Sequence, residues 1–351
     1  MLGVILCILA INSAYLLLLT HPLDVLRIGS DSLRSRLYWV YTASISFRGI
    51  GWNTHARNIP APLAQNRIDF VLSTVLRAVR QLVLFDAAQL YVCYNPVCAV
   101  NGPASVSITS QGYLLRCASI VAWGAMTYSS LNVVHSLFAV VDVALGLSEV
   151  SSWPQSFGRW KDSYTLRKFW GRIWHQLLRQ VKPLMACTGQ SITTLFYIAS
   201  QLHCEVRCKI TRLRVRIAGL FIRPALRCIL SGAVHVGGDT RLNAKQTGFS
   251  WPFFILQAMA ITFKDAVIGL ARRVGFTEAT PLTRLVGYLW VWSWFYASYP
   301  AWIDGQISAG FGNMQVLPFL PIMAAIGLVG RLTGSDQVGS VLLHRNSSVV
   351  L

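Results

Sequence analysis

The feature that most constrains this chain is a succession of apolar runs of about bilayer-crossing length, with its basic residues gathered in the gaps between them. A spanning helix needs about 20 mostly apolar residues. Runs of that kind lie at 1–20, 81–100, 251–270, 285–302 and 316–330. The run at 113–147 is too long for one span and reads as two helices or one long tilted helix. The run at 217–237 is broken early by Arg223 and Pro224, so its continuous helix is expected to start at Pro224, a good first helical residue. The weakly apolar 186–202 either spans or re-enters, and 37–50 is half a span ending in FRGIGWN at 47–53. The mixed, basic 67–80 reads as lying along the surface. The first run lacks a basic leader and a small-residue cleavage site, so it reads as an anchor. The expected fold is all-α: a polytopic bundle of eight or nine spans in a single domain over 1–351.

Charged residues make up 13% of the chain, against roughly 25% in soluble domains. The net charge of +18 would suggest a nucleic-acid partner in a soluble protein. Here the cations flank apolar runs, the positive-inside pattern, so the expected partner is the lipid bilayer and not nucleic acid. The basic loops at 207–216, 272–284 and from 331 onward are each two spans apart and belong on one face, read as cytosolic. The sequon at Asn346 then goes unused. The eight cysteines are scattered, half of them inside apolar runs, which argues against a disulfide framework. His203, Cys204 and Cys208 lack a second ligand pair nearby, so no metal site is expected.

Two histidines stand out. Wound as one helix, 166–181 puts Lys168, Arg172, His175 and Arg179 on one face, and Trp170, Ile173, Trp174, Leu177 and Val181 on the other. Such a helix lies at the membrane interface or lines a wet cavity. The surrounding cations disfavour protonation of His175. The second histidine, His235, sits in LSGAVHVGGD. Ser231 and Gly232 lie one turn back and leave open volume beside its imidazole, and Asp239 lies four residues on, within reach of the other ring nitrogen. A base oriented by a carboxylate is a general catalytic device. A membrane histidine also serves simply to bond a neighbouring helix, and a basic face also serves lipid headgroups. Both readings stay open on the residues alone, as does a transporter. Against the transporter stands the lack of paired half-repeats.

FRGIGWN, then WPQSFGRWKDSYTLRKFWGRIWHQLLRQ from Trp153, then LSGAVHVGGD, resemble in order and spacing the wax synthase-like branch of the membrane-bound O-acyltransferases. The likeness covers about 40–330 and is nearest to acetyltransferases of fungal secondary metabolism. It implies an all-helical bundle around a tunnel in the endoplasmic reticulum. It implies acetyl-CoA as co-substrate entering from the cytosol, with no bound cofactor, and a hydrophobic hydroxylated acceptor of terpenoid or meroterpenoid type. His235 would be the catalytic base and His175 its partner. Trp174, Gln176, Ser231 and Asp239 would support them. Arg167, Lys168, Arg172 and Arg179 would attract the phosphates of CoA. A long-chain wax-ester synthase is the alternative within the same family.

Overall fold

Helix α1, Arg67–Tyr94, starts where the Asn66 side chain accepts the Ile68 N–H at 2.9 Å, with Asp69 in the first turn to suit the helix dipole. The basic stretch expected along the surface and the apolar stretch after it are thus one continuous helix. The computed structural model describes residues 66–98, 106–174, 228–229, 231–239, 247–275, 280–311 and 321–332, with Ala10. The expected spans at 1–20, 37–50 and 186–202, and the basic run 207–216, lie outside the described residues. Among the described residues every regular element is helical. The longer elements are α1, α2 (Tyr113–Ala144), α3 (Leu166–Lys168, continued by a wider turn), α4 (described over 231–239), α5 (Ser250–Arg273), α6 (Pro281–Ser308) and α7 (Pro321–Leu332). Of these, α5 is long and apolar enough to cross a membrane by length and composition.

The chain divides into two compact units, 60–156 with 292–351, and 1–59 with 157–291. In the first, the run at 113–147 resolves as one helix of 32 residues. It ends at Gly146, whose φ of 70° lets the Leu147 N–H reach back to the Asp142 carbonyl at 2.8 Å. Helices α1 and α2 pair antiparallel. Near one end the Tyr91 hydroxyl donates to the Leu115 carbonyl at 3.1 Å, and near the other Phe70 packs with Ala139 and Val143. Phe85, Val92, Trp123, Met126, Val133 and Ile303 fill the core between.

Polar groups close this pair. The Asn95 amide donates to Tyr91 and Ser119, both at 3.1 Å. The Gln111 amide donates to Asn95 at 2.7 Å. Asp304 of α6 accepts the Ile108 N–H at 3.0 Å and the Ser107 hydroxyl. Asp86, fully buried in α1, accepts the Ile322 N–H and so caps the start of α7 from another helix.

Candidate active site

The second unit holds both the Trp-rich motif and His235. Helix α3 begins at Thr165, whose hydroxyl oxygen accepts the Lys168 N–H at 3.0 Å. After Lys168 the backbone widens into a π turn over Phe169–Ile173. The Trp174 N–H donates to the Phe169 carbonyl, five residues back, at 2.8 Å. Trp174 itself is extended, with ψ 131°. The single α-helix expected over 166–181 is therefore corrected: it stops as an α-helix at Lys168 and leaves helical geometry at Trp174.

The cause is aromatic packing. In an α-helix positions 169 and 174 would point about 140° apart, whereas the π turn brings i and i+5 together. Phe169 and Trp174 stack at 5.5 Å and 20°, and Trp170 meets both edge-on at 5.1 and 6.1 Å. The preceding loop locks the turn. The Gly158 N–H donates to the Ile173 carbonyl at 3.0 Å, and the Phe157 ring meets Trp174 edge-on at 5.5 Å. A Cβ on residue 158 would run into the Arg172 carbonyl, which is why glycine stands there.

Two of the four cationic candidates are held by the protein's own groups. The Arg167 guanidinium donates to one Asp265 carboxylate oxygen, from Nε at 2.7 Å and also from Nη2. The Lys168 ammonium donates to the Tyr164 hydroxyl and lies 3.8 Å from that ring's centroid. Arg172 is exposed. His175, Gln176 and Arg179 lie outside the described residues.

A chain of rings joins the Trp motif to His235. The Trp170 indole N–H donates to Gln257 Oε1 at 3.3 Å, and Gln257 is 1% exposed in α5. Trp170 also meets Phe253 at 6.1 Å and Phe254 at 6.4 Å. Phe254 in turn stacks on the His235 imidazole at 4.7 Å and 23°. The volume expected to be open beside Gly232 is filled: a Cβ there would lie 2.8 Å from the Trp251 indole.

The Asp239 carboxylate, 3% exposed, accepts the Ser250 N–H at 3.1 Å and the Ser250 hydroxyl at 2.8 Å. Burial pushes this carboxyl above its ordinary range, and the Ser250 bonds pull it back. Asp239 thus ties the end of α4 to the start of α5. Ser231 is half-buried one turn before His235. Among the described residues no cluster of three or more His, Cys, Asp or Glu is placed to hold a metal ion.

Phe254, Gln257 and Trp251 were not among the expected site residues. Their spacing of three along α5 is the signal that could have found them, since it marks one helix face.

Residues 153–256 match the sequence profile described as the membrane bound O-acyl transferase family. The chain is 29% identical over 281 residues to acetyltransferase ple2 of Rhodocybe pseudopiperita, covering 79% of this chain and 68% of that protein. It is 28% identical over 300 residues to acetyltransferase eriL of Hericium erinaceus, covering 82% and 71%. It is also 28% identical over 280 residues to O-Mevalon transferase macI of Penicillium terrestre, covering 75% and 61%. No solved structure matches the chain. The matched segment contains the π turn, the Ser-Gly and histidine of α4, and the aromatic start of α5, and with these relatives it identifies the chain as an acyltransferase related to the membrane-bound O-acyltransferases.

Proposed function

We propose that the chain moves an acetyl group from acetyl-CoA to a hydroxyl on a terpenoid or meroterpenoid skeleton, with His235 as general base. The observation that carries this reading is the ring chain Trp174–Trp170–Phe254–His235. It links the Trp-rich motif to the helix of His235 by ring contacts, which supports reading them as one site. A free alcohol is about nine pK units less acidic than imidazolium, so the hydroxyl is not deprotonated beforehand. The imidazole takes the proton as the oxygen attacks the thioester carbonyl. The tetrahedral intermediate collapses, the C–S bond breaks, and the CoA thiolate leaves and takes a proton. His175 hydrogen-bonds the oxyanion.

Arg172 and Arg179 meet the phosphates of CoA, Lys168 adds to the positive field, Arg167 is neutralised by Asp265 and ties α3 to α5, and Trp174, Gln176, Ser231 and Asp239 hold the two histidines in place. Acetyl-CoA is a co-substrate and not a resident cofactor. The chain works as one multi-pass domain of eight or nine spans in the endoplasmic reticulum, taking the donor from the cytosol. Relatives named acetyltransferases support the acetyl donor.

The test is acyl transfer in microsomes holding the full chain, supplied with acetyl-CoA and a panel of hydroxylated terpenoids. Product should gain about 42 Da, the mass expected when an acetyl group replaces the hydroxyl proton. His235→Ala should lose it. Near-wild-type turnover in a correctly inserted His235→Ala protein would sink the base assignment.

A further inference from the structure

The face of α4 that carries His235 does not look into open space. Every third or fourth residue on it is met by the first turn of α5. Gly232 meets the Trp251 indole, His235 meets the Phe254 ring at 4.7 Å, and Asp239 meets Ser250 at 2.8 Å. One flat face of the imidazole is covered by Phe254, and a proton is taken in the ring plane, at a nitrogen lone pair. One turn back along the same face, the space over Gly232 is occupied by the Trp251 indole. The indole lies so close that even a methyl group at 232 would sit 2.8 Å and 3.1 Å from its carbons, tighter than carbon contacts allow. The small residue at 232 therefore serves to admit the indole and does not line room for a fatty chain.

We infer that Trp251 sets the acyl-size limit of this enzyme: the indole seated on Gly232 blocks the space beside His235 into which acyl groups much longer than acetyl would extend. This rests on His235 being the base of the transfer. Each methylene that finds an apolar burial site is worth roughly fourfold in binding, and an octanoyl group carries six more than an acetyl group. With the indole in place those methylenes have no site on this side. With the indole cut back, they gain one. Removing a ring of this size leaves an apolar cavity that the surrounding structure does not fully close, and an acyl chain is a suitable occupant.

The experiment uses the full chain in microsomes with a terpenoid alcohol that the wild type acetylates. Acetyl-CoA and octanoyl-CoA compete at equal concentration in one reaction, and the two esters are counted by mass spectrometry. Their ratio cancels the amount of folded enzyme. Trp251→Phe, Trp251→Leu and Trp251→Ala should raise the octanoyl-to-acetyl ratio stepwise, reaching about tenfold or more at alanine. Trp251→Phe keeps an aromatic ring over Gly232 and guards against a loss of fold in the smaller variants. An unchanged ratio in active variants overturns the assignment. So does loss of both products in all three, which would make Trp251 a packing residue alone. His235→Ala, run alongside, separates the two ideas. If it retains turnover the base assignment fails, whereas a dead His235→Ala beside Trp251 variants of unaltered ratio leaves the base standing and removes only the size limit.

Discussion

The two units of the chain hold their helices together by different chemistry. Between α1 and α2 the ties are amides and hydroxyls: Asn95, Gln111, Ser119 and Tyr91 bond one another across the pair, and small buried residues such as Ser129, Ser136 and Ala139 let the backbones approach. Around His235 the ties are rings, with Phe157, Phe169, Trp170, Trp174, Phe253 and Phe254 in an unbroken series of contacts. Lipid tails are as apolar as leucine, so helices in a membrane are joined by close packing and polar bonds and not by the hydrophobic effect. The α1–α2 pair is joined by bonds and close packing of those kinds. The ring cluster does something else. Aromatic edges and faces favour particular angles, so a series of them fixes the orientation of the imidazole at its end. One region is joined by polar bonds between helices, and the other carries a series of rings that ends on the His235 imidazole.

That contrast can be broken by substitution. His235→Ala should cost the most, about 10²–10⁴-fold in turnover, the usual worth of a general base, with the amount of inserted protein unchanged on a membrane immunoblot. Gly158→Ala comes next. Its Cβ meets the Arg172 carbonyl; overpacking should cost about 1–3 kcal/mol of stability, and the displaced π turn should lower turnover by up to about 10²-fold. Thermal scans in detergent should show the lost stability directly. Gln257→Leu leaves the Trp170 N–H without its acceptor and should lower turnover about tenfold, while Gln257→Glu, which keeps an acceptor oxygen, should recover most of it. Equal losses in both variants would mean that the site needs the whole amide and not the Trp170 bond. Asn95→Ala should cost least in chemistry. It should remove about 1 kcal/mol of stability and leave turnover per folded molecule within twofold. A large loss of turnover there would erase the distinction between the two regions.

Much of the fold is legible in hydropathy. The runs at 113–147, 251–270 and 285–302 each correspond to a helix, α2, α5 and α6. The two-helix option for the first is removed by a run of backbone bonds from Tyr113 to Ala144. His235 and its neighbours are legible as a motif, since Ser231, Gly232 and His235 stand on one described helix. What period-3.6 reasoning could not supply was the π turn. Its cause lies in Gly158 and in ring stacking that no helical wheel represents, so over 166–174 the wheel drawn from sequence does not hold. Long-range polar pairing was equally hidden. Asp265 stands inside an apolar run with no sign in sequence of what it pairs with, and its partner Arg167 stands 98 residues away. Position 232 reads as open volume because sequence shows a missing side chain but not the Trp251 ring that fills its place.

The Asp239–Ser250 bonds carry a consequence for the segment they enclose. They close the ten intervening residues into a ring whose ends meet directly. The clasp and the stacked rings then hold His235 against Phe254 directly, without drawing on the length of the linker. Doubling a flexible linker costs only about 0.6 kcal/mol in closure entropy. Inserting residues between Asp239 and Ser250 should therefore leave the imidazole and its covering ring in register.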